Sequence, residues 1–265
     1  MARLLENDIL SGQVKEIPRE GTLLPETYRF ERGTTREQVL QRMQQSHRRL
    51  VAEIWERRSP DVPIKTVEQL VTLASIVEKE TGRADERRRV AAVFSNRLQK
   101  KMKLQSDPTI IYGLVGGKGT LGRPIKRSEI QQPTPYNTYA IEGLPPGPIA
   151  NPGRASLEAT ANPSRTRELY FVADGTGGHT FTENYADHQR GVARLRTIEK
   201  QPAVDAVEPE EATATAAPEP ATGAAEPQQR PAPQGAKKRN NAGAPQPRTP
   251  PTAQNSTTPA PTVQR

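Results

Sequence analysis

One acidic residue in this 265-residue chain has a setting suited to proton transfer. Glu80 lies near the end of the run Leu73-Ala74-Ser75-Ile76-Val77-Glu78-Lys79-Glu80-Thr81. If the run is helical, residues three, four and seven positions apart share a face, so Glu80 follows Val77, Ile76 and Leu73 on an apolar stripe. A carboxyl group held among apolar side chains resists ionisation, and the pKa of a catalytic Glu can reach about 6–7. Such a group can donate a proton near neutral pH, as cleavage of a glycosidic bond requires.

The same pattern permits other interpretations of Glu80. A Glu at a helix C-terminus is often a surface residue, and Glu80 could pair with Arg83 or Arg87. The second candidate acid is Glu78, which lies behind Ser75 and about 200° around the helix from Glu80. We therefore expect Glu78 to be solvated. The pattern alone leaves the catalytic and the surface interpretations of Glu80 open.

Polar side chains that follow the third predicted helix are candidates for sugar contacts. Gln105, Ser106 and Asp107 are placed by the sequence in a loop after a basic stretch. Their side chains could form hydrogen bonds with sugar hydroxyl or acetamido groups. The alternative for Asp107 is local, because Asp before Pro108 also favours a turn.

A second Pro-flanked loop holds two tyrosines and an amide: Tyr136, Asn137 and Tyr139. Tyrosine rings can stack on sugar rings, and an Asn amide can bind an N-acetyl group. The alternative is that both tyrosines are partly buried with satisfied hydroxyl groups. These three residues complete the predicted binding set, with the balance for Asn137 toward a substrate contact.

Metal and cofactor chemistry find little support. The chain has no cysteine, which excludes disulfides and thiolate ligands. His179 and His188 are too few to hold a metal without a third ligand, and none is evident. The turn 175–178 is rich in Gly but lacks the Lys and the following helix of a phosphate loop. We therefore predict a hairpin turn there, no metal site and no cofactor.

Hydrophobic periodicity and capping residues predict the elements that position Glu80. A first helix begins at Thr34 or Thr35 with a capping-box pattern and ends near 58. A second is capped by Thr66, with Gln69 completing the box, and is stopped by Gly82. A third spans about 85–101.

The rest of the chain alternates loops with short elements. Residues 27–30 are a possible short strand, and 102–153 form a long loop-dominated region. Within it, residues 143–149 hold three prolines and are expected to shape a wall of a cleft. A short helix from Ser156, a hairpin of 169–172 with 179–182, and a helix over 184–196 follow. We predict an α+β fold: one mixed domain of helices and short strands with Gly/Pro-rich cleft loops.

Composition divides the chain near position 200. Residues 201–265 hold 13 of the 26 prolines and no aromatic residue, so we predict a disordered tail after a domain spanning 1–200. The tail has six basic and six acidic residues, so the net charge of +8 belongs to residues 1–200. A basic domain indicates an anionic partner: nucleic acid, a lipid surface or an acidic glycan. The longest apolar stretch, 70–77, is too short to span a bilayer, and the N-terminus lacks the apolar region of a signal peptide.

Seven blocks, in order, make the chain resemble the endolytic murein transglycosylase family over about residues 20–195. The first is the run that contains Glu80; the next two are 93–98 (VFSNRL) and 104–113 (LQSDPTIIYG). The remaining four are 135–139 (PYNTY), 143–149 (GLPPGPI), 169–175 (LYFVADG) and 178–181 (GHTF). Any single block is a weak signal, whereas seven in sequence are specific. The chain is similar to the C-terminal catalytic portion of that family.

The resemblance implies a reaction and a catalytic residue. Members of the family cut the β-1,4 bond between N-acetylmuramic acid and N-acetylglucosamine in peptidoglycan without water, leaving a 1,6-anhydromuramoyl end. The C6 hydroxyl of the sugar attacks its own anomeric carbon, so one acid/base suffices. The family's catalytic acid is the Glu followed by Thr, which corresponds to Glu80. The partners implied are peptidoglycan strands and, at the inner membrane, peptidoglycan synthases.

The chain also departs from the family pattern. Members begin with a cytoplasmic end, a membrane span and a small peptidoglycan-binding domain, and the resemblance places catalysis on the periplasmic side of the inner membrane. These segments are absent from the sequence, which predicts a fragment or a truncated form. Two alternative functions remain: a non-catalytic peptidoglycan-binding remnant, and a basic nucleic-acid binder. The second lacks any helix-turn-helix, RNP or zinc-knuckle signature, so we expect no nucleic-acid partner.

Overall fold

The structure is a computed structural model, and it describes residues 7–199. Over that range the chain forms helices α1 (Arg36–Glu56), α2 (Val67–Glu80), α3 (Arg87–Gln99), α4 (Asp107–Val115), α5 (Arg127–Gln131), α6 (Arg154–Ala161) and α7 (Tyr185–Glu199), and strands β1 (Tyr170–Ala173) and β2 (His179–Thr182). The α+β prediction is confirmed. The predicted tail, 201–265, lies outside the described residues.

Helix α1 begins where its capping residues predict. The Thr35 hydroxyl accepts a hydrogen bond from Gln38 N–H, and the Gln38 side chain accepts one from Thr35 N–H. Two otherwise unpaired donors at the helix N-terminus are thereby satisfied. Thr66 caps α2 in the same way. The capping box expected at α2 is incomplete. The Gln69 side chain accepts from Lys65 N–H, whereas a capping box requires a bond from the N–H of the cap residue, Thr66.

Helix α2 is the centre of the core. All eight residues from 70 to 77 are buried, on every side of the helix. Helices α1, α3, α4 and α6 pack around it. Such a helix is buried because it is apolar on every side over these two turns, with only Thr72 and Ser75 interrupting. The Ser75 hydroxyl is satisfied, because it donates to the Thr72 carbonyl and accepts from Ile149 N–H at 2.9 Å.

The β-hairpin is a small antiparallel sheet at the edge of this core. Tyr170 pairs with Thr182 and Ala173 with His179, as the predicted hairpin requires. Phe171 meets Phe94 of α3 edge-on, with ring centroids 5.8 Å apart. Helix α7 packs against both strands. The hairpin therefore closes the core over α3.

One strand and two helices differ from the sequence predictions. Residues 27–30, the possible short strand, belong to no helix or strand. The region 102–153 is loop-dominated as predicted, but it also contains α4 and α5, which were not predicted. Asp107 and Pro108 occupy the first turn of α4, where Pro lacks only an N–H that has no helical partner. None of the helices described within residues 7–199 is both long and apolar enough to span a bilayer.

Candidate active site

Glu80 is the last residue of α2, and its carboxyl is held among buried groups. The residue as a whole is partly exposed. Loss of hydration nevertheless raises the pKa of Glu80 to about 7, with the nearby Asp107 charge adding to the effect. The Ser106 hydrogen bond and the positive charge of Arg97 act in the opposite direction. A carboxyl with this pKa is substantially protonated at neutral pH.

Ser106 fixes the orientation of the Glu80 carboxyl. Its hydroxyl donates to Glu80 Oε1 at 2.5 Å. Ser106 is 1% exposed, and its own backbone N–H donates to Thr138 Oγ1 at 2.9 Å. The Thr109 hydroxyl donates to the Ser106 carbonyl at 2.7 Å and lies 2.9 Å from Thr138 Oγ1. Because Oε1 is occupied, Oε2 is the oxygen left to carry the proton.

Arg97 is a buried cation behind the site. It is 8% exposed, and burial lowers the pKa of its guanidinium. Nε donates to the Leu169 carbonyl at 2.7 Å, and Nη1 donates to the Leu104 carbonyl at 2.9 Å and to Gln105 Oε1 at 3.2 Å. These bonds join α3, the loop before α4 and the hairpin. Arg97 thus supplies positive charge toward Glu80 from a fixed position.

Asp107 and Tyr139 form a second polar pair at the site. The Tyr139 hydroxyl donates to Asp107 Oδ1 at 2.7 Å. Burial raises the pKa of Tyr139, and the Asp107 charge raises it further. The Tyr139 hydroxyl therefore stays protonated as a donor. The Asp107 charge raises the pKa of Glu80, and the Glu80 charge raises the pKa of Tyr139. Gln105 joins the same site through its bond to Arg97. The structure therefore brings these four predicted site residues together.

The other two predicted binding residues, Asn137 and Tyr136, form contacts within the protein. Asn137 is 1% exposed, and its Nδ2 donates to the carbonyls of Ile130 and Gln132, each at 2.7 Å. Its Oδ1 accepts from Tyr139 N–H at 3.0 Å. A sugar cannot reach this amide, so Asn137 anchors the loop and is not a substrate contact in this geometry. Tyr136 packs on Tyr112 with ring centroids 4.9 Å apart and is half-buried.

Glu78 points away from Glu80, as its helical position predicts, but the expectation that it is solvated is wrong. Its Oε2 accepts from Gly153 N–H at 3.1 Å and from the Ser156 hydroxyl at 2.5 Å. Gly153 is the N-cap of α6, so the Glu78 carboxylate lies at that helix's positive end. Glu78 therefore joins α2 to α6. The alternative pairing of Glu80 with Arg83 is also wrong, because Arg83 pairs with Asp85.

His179 and His188, the two candidate metal ligands, form contacts at the hairpin. His179 Nδ1 lies 2.7 Å from Glu86 Oε2, and its backbone N–H donates to Glu86 Oε1 at 2.9 Å. His188 stacks on Tyr170 at 5.2 Å. Among the residues that the structure describes, no three His, Cys, Asp or Glu side chains lie close enough to hold a metal ion.

Comparison with known proteins assigns the family. A family model described as the YceG-like family matches residues 2–194. The chain belongs to the YceG-like family. It is 37% identical over 186 residues to the endolytic murein transglycosylase of Bacillus subtilis (strain 168), covering 69% of this chain and 49% of that protein. The enzyme of the same name from Streptococcus pneumoniae (strain D39) is 36% identical over 181 residues, covering 66% and 32%.

A solved YceG-like structure supports the same fold. The crystal structure of a yceG-like protein from Listeria monocytogenes matches with a TM-score of 0.54 and 32% identity, covering 71% of this chain and 58% of that one. The chain spans about half the length of the B. subtilis relative and about a third of the S. pneumoniae relative. The family match covers residues 2–194 and so includes Glu80.

Sequence analysis missed the parts of the site that depend on distant contacts. Ser106 was interpreted as a sugar contact, yet it bonds to Glu80, which is 26 positions away. Arg97 was noted only within a resembling block. One signal was available for it. Arg97 follows Val93 and Phe94 by one helical turn on a buried face of the helix, where a charged side chain must be paired or hydrogen-bonded.

Proposed function

We propose that this chain is the catalytic region of a peptidoglycan lytic transglycosylase, with Glu80 as its acid/base. The observation that carries the proposal is the Glu80 carboxyl, which belongs to a partly exposed residue, is oriented by Ser106, and has a pKa of about 7. A general acid works best when its pKa is near the operating pH. The names of the relatives, endolytic murein transglycosylase, supply the substrate class.

The proposed reaction needs one carboxyl. Glu80 Oε2 donates its proton to the oxygen of the N-acetylglucosamine leaving group as the C1–O bond of N-acetylmuramic acid breaks. The C6 hydroxyl of the same muramoyl residue attacks C1, and a C1–O6 bond forms. The hydroxyl proton passes to the Glu80 carboxylate, which restores the acid. No water is consumed, and the product has a 1,6-anhydro end.

Neighbouring groups help both halves of this cycle. Once Glu80 has lost its proton, the Ser106 hydrogen bond and the Arg97 charge stabilise the carboxylate. A charge-assisted hydrogen bond contributes about 1.5–3 kcal/mol when partly buried. Asp107 opposes ionisation of Glu80 and keeps its proton available. These opposing effects allow Glu80 both to donate its proton and to accept one back.

The wider role is proposed on the same basis. Cuts within uncrosslinked strands would end the elongation of nascent glycan, next to peptidoglycan synthases on the periplasmic side of the inner membrane. The resemblance is the support for this placement. It applies to the whole proteins of the family, of which this chain spans a part.

The test is an end-group analysis of cut strands. The full chain is incubated with uncrosslinked peptidoglycan strands, and the new ends are identified by mass spectrometry beside Glu80→Gln and Glu78→Gln. We expect anhydromuramoyl ends from wild type and from Glu78→Gln, and none from Glu80→Gln. Reducing ends would indicate hydrolysis, with Asp107 as the carboxylate able to activate water. Binding without cleavage by folded wild-type protein would favour a non-catalytic peptidoglycan-binding remnant.

A further inference from the structure

The segment between α3 and α4 contains a residue in a backbone conformation that its type rarely adopts. Gln105 has a φ of 49°, in the left-handed region. A residue with a Cβ atom is strained there, and glycine and asparagine are the usual occupants. Gln105 lies between the buried Leu104 and Ser106, whose hydroxyl bonds to Glu80. The left-handed turn therefore connects the core to the residue that orients the acid.

Two hydrogen bonds hold Gln105 in this conformation. Its backbone N–H donates to the Thr138 carbonyl at 3.2 Å. Its side-chain Oε1 accepts from Arg97 Nη1 at 3.2 Å. A hydrogen bond from a charged donor is stronger than one between neutral groups, so it can offset backbone strain. Glycine would relieve the strain but has no acceptor to offer. The bond to Arg97 is therefore a physical reason for a long polar side chain at this position.

Residues 104–106 lie between the Arg97 guanidinium and the Glu80 carboxyl. On one side, the Leu104 carbonyl and Gln105 Oε1 accept from Arg97 Nη1. On the other side, the Ser106 hydroxyl donates to Glu80 Oε1. Within residues 7–199, the hydrogen bonds of Arg97 reach only uncharged oxygens. The positive charge thus acts on Glu80 without a direct bond between the two side chains.

An ion pair between Arg97 and Glu80 would remove the proton donor. A carboxylate that accepts a charge-assisted bond from a guanidinium is stabilised in its ionised form. This pair is the expected outcome when Arg97 loses a neutral acceptor, because an unpaired N–H of a buried cation is costly. Glu80 is the carboxyl whose charge acts on Arg97.

We propose that Gln105 is a positioning residue: its side-chain oxygen holds the Arg97 guanidinium away from Glu80, so that the two form no ion pair and Glu80 keeps its proton. This inference rests on the proposed function, since it takes Glu80 as the proton donor. Gln105 contributes through Arg97 and makes no contact with the reacting atoms. The acceptor at this position must be neutral, because a carboxylate would offset the Arg97 charge that helps Glu80 to ionise.

The test follows the protonation of Glu80 in four variants of the full chain. Gln105→Ala and Gln105→Gly remove the acceptor, and the second also relieves the backbone strain, which favours folding. Gln105→Glu keeps an acceptor for Arg97 but adds a negative charge. The matched control is Gln99→Ala, which removes the same side chain at an exposed position on α3, where Gln99 bonds to the Asp61 carbonyl. The midpoint of the Glu80 titration is measured by 13C NMR, and kcat and KM for cleavage of uncrosslinked peptidoglycan strands are measured against pH.

We expect Gln105→Ala and Gln105→Gly to lower the Glu80 midpoint by about one to two pH units, because Arg97 then pairs with its carboxylate. The protonated fraction at pH 7 falls with the midpoint, so kcat at pH 7 should drop about 5- to 50-fold while KM stays near the wild-type value. Gln105→Glu should raise the midpoint, because the new carboxylate offsets the Arg97 charge. Gln99→Ala should keep the wild-type midpoint. The other groups that act electrostatically with Glu80, Asp107 on α4 and the Tyr139 hydroxyl, are unchanged in all four variants.

The NMR midpoint separates this inference from the proposed function, because it reports on Glu80 whether or not the chain cleaves strands. A wild-type midpoint in folded Gln105→Ala and Gln105→Gly would overturn the inference even if cleavage is observed. A raised KM with an unchanged midpoint would also overturn it and would make Gln105 a substrate contact. A lowered midpoint in a chain whose wild type cuts no strands would support the role of Gln105 and count against the proposed function.

Discussion

Replacing Glu80 with Gln should stabilise the protein at alkaline pH while it abolishes cleavage. In wild type the carboxyl must lose its proton in surroundings that disfavour the charge. Gln is similar in size, is always neutral, and can still accept the hydrogen bond from Ser106. The variant therefore removes the cost of a desolvated charge and keeps most of the contacts of the site.

The magnitude follows from the pKa of Glu80. It is about 7 in the folded chain against 4.5 for the free side chain. The folded state therefore binds more protons than the unfolded state between these values, and stability falls as pH rises through that window. Above the folded pKa the loss reaches about 3 kcal/mol. The variant lacks this titration, so its advantage over wild type should grow from near zero at about pH 4.5 to about 3 kcal/mol at about pH 8.5.

Urea unfolding of the full chain at several pH values measures this difference. The matched control is Glu78→Gln, which changes a carboxyl on the same helix. Glu78 accepts bonds from Gly153 and Ser156, so its replacement should destabilise the protein at alkaline pH. The two variants are thus expected to have opposite signs at pH 8.5. A wild-type stability that runs parallel to that of Glu80→Gln from pH 5 to 8.5 would refute the account of the carboxyl.

Three further substitutions test other parts of the site. Ser106→Ala removes the bond that favours the Glu80 carboxylate, so the pKa of Glu80 rises and the alkaline loss of kcat should move up by about one pH unit. An unchanged pH–rate profile would contradict that role. Glu78→Ala should cost about 1–3 kcal/mol in urea unfolding because it leaves Gly153 N–H unpaired at the α6 N-terminus, with product ends unchanged; altered ends would place Glu78 in the chemistry. Asn137→Ala should cost about 2–3 kcal/mol in urea unfolding and speed limited proteolysis within residues 116–131. Wild-type stability with weakened substrate binding would restore Asn137 as a ligand.

The elements that the sequence predicted well are those determined locally. Thr35 and Thr66 cap helices because a hydroxyl at that position satisfies nearby N–H groups. The hairpin follows from two short strands joined by a Gly-rich turn. In contrast, α4 was missed because Pro108 and Gly113 weaken its helical pattern, and a nine-residue helix has few turns in which to show one.

The candidate site was predictable only where positions along one helix decided the outcome. Glu80 follows the buried residues Leu73, Ile76 and Val77, and burial raises the pKa of its carboxyl as that position predicts. The partners of that carboxyl come from contacts between distant segments. Asn137 shows the limit of inference from residue type, because an amide suited to an N-acetyl group is equally suited to backbone carbonyls.

The comparisons show the family to which the chain belongs. The relatives that give the chain its family are about two to three times longer than the part it matches. The proposed reaction depends on Glu80 and the groups around it. The protonation state of the Glu80 carboxyl is the property on which that reaction rests.

The most direct measurement is a titration of the Glu80 carboxyl in the full chain. Protein labelled with 13C at glutamate side-chain carboxyl carbons is followed by NMR from pH 3 to 9, and the Glu80 signal is assigned by its loss in Glu80→Gln. A midpoint near pH 7 is expected for Glu80, against 4.5 for the free side chain. A midpoint at 4 to 5, in a protein that is folded throughout, would mean that Glu80 is ionised at neutral pH and would contradict its role as the proton donor.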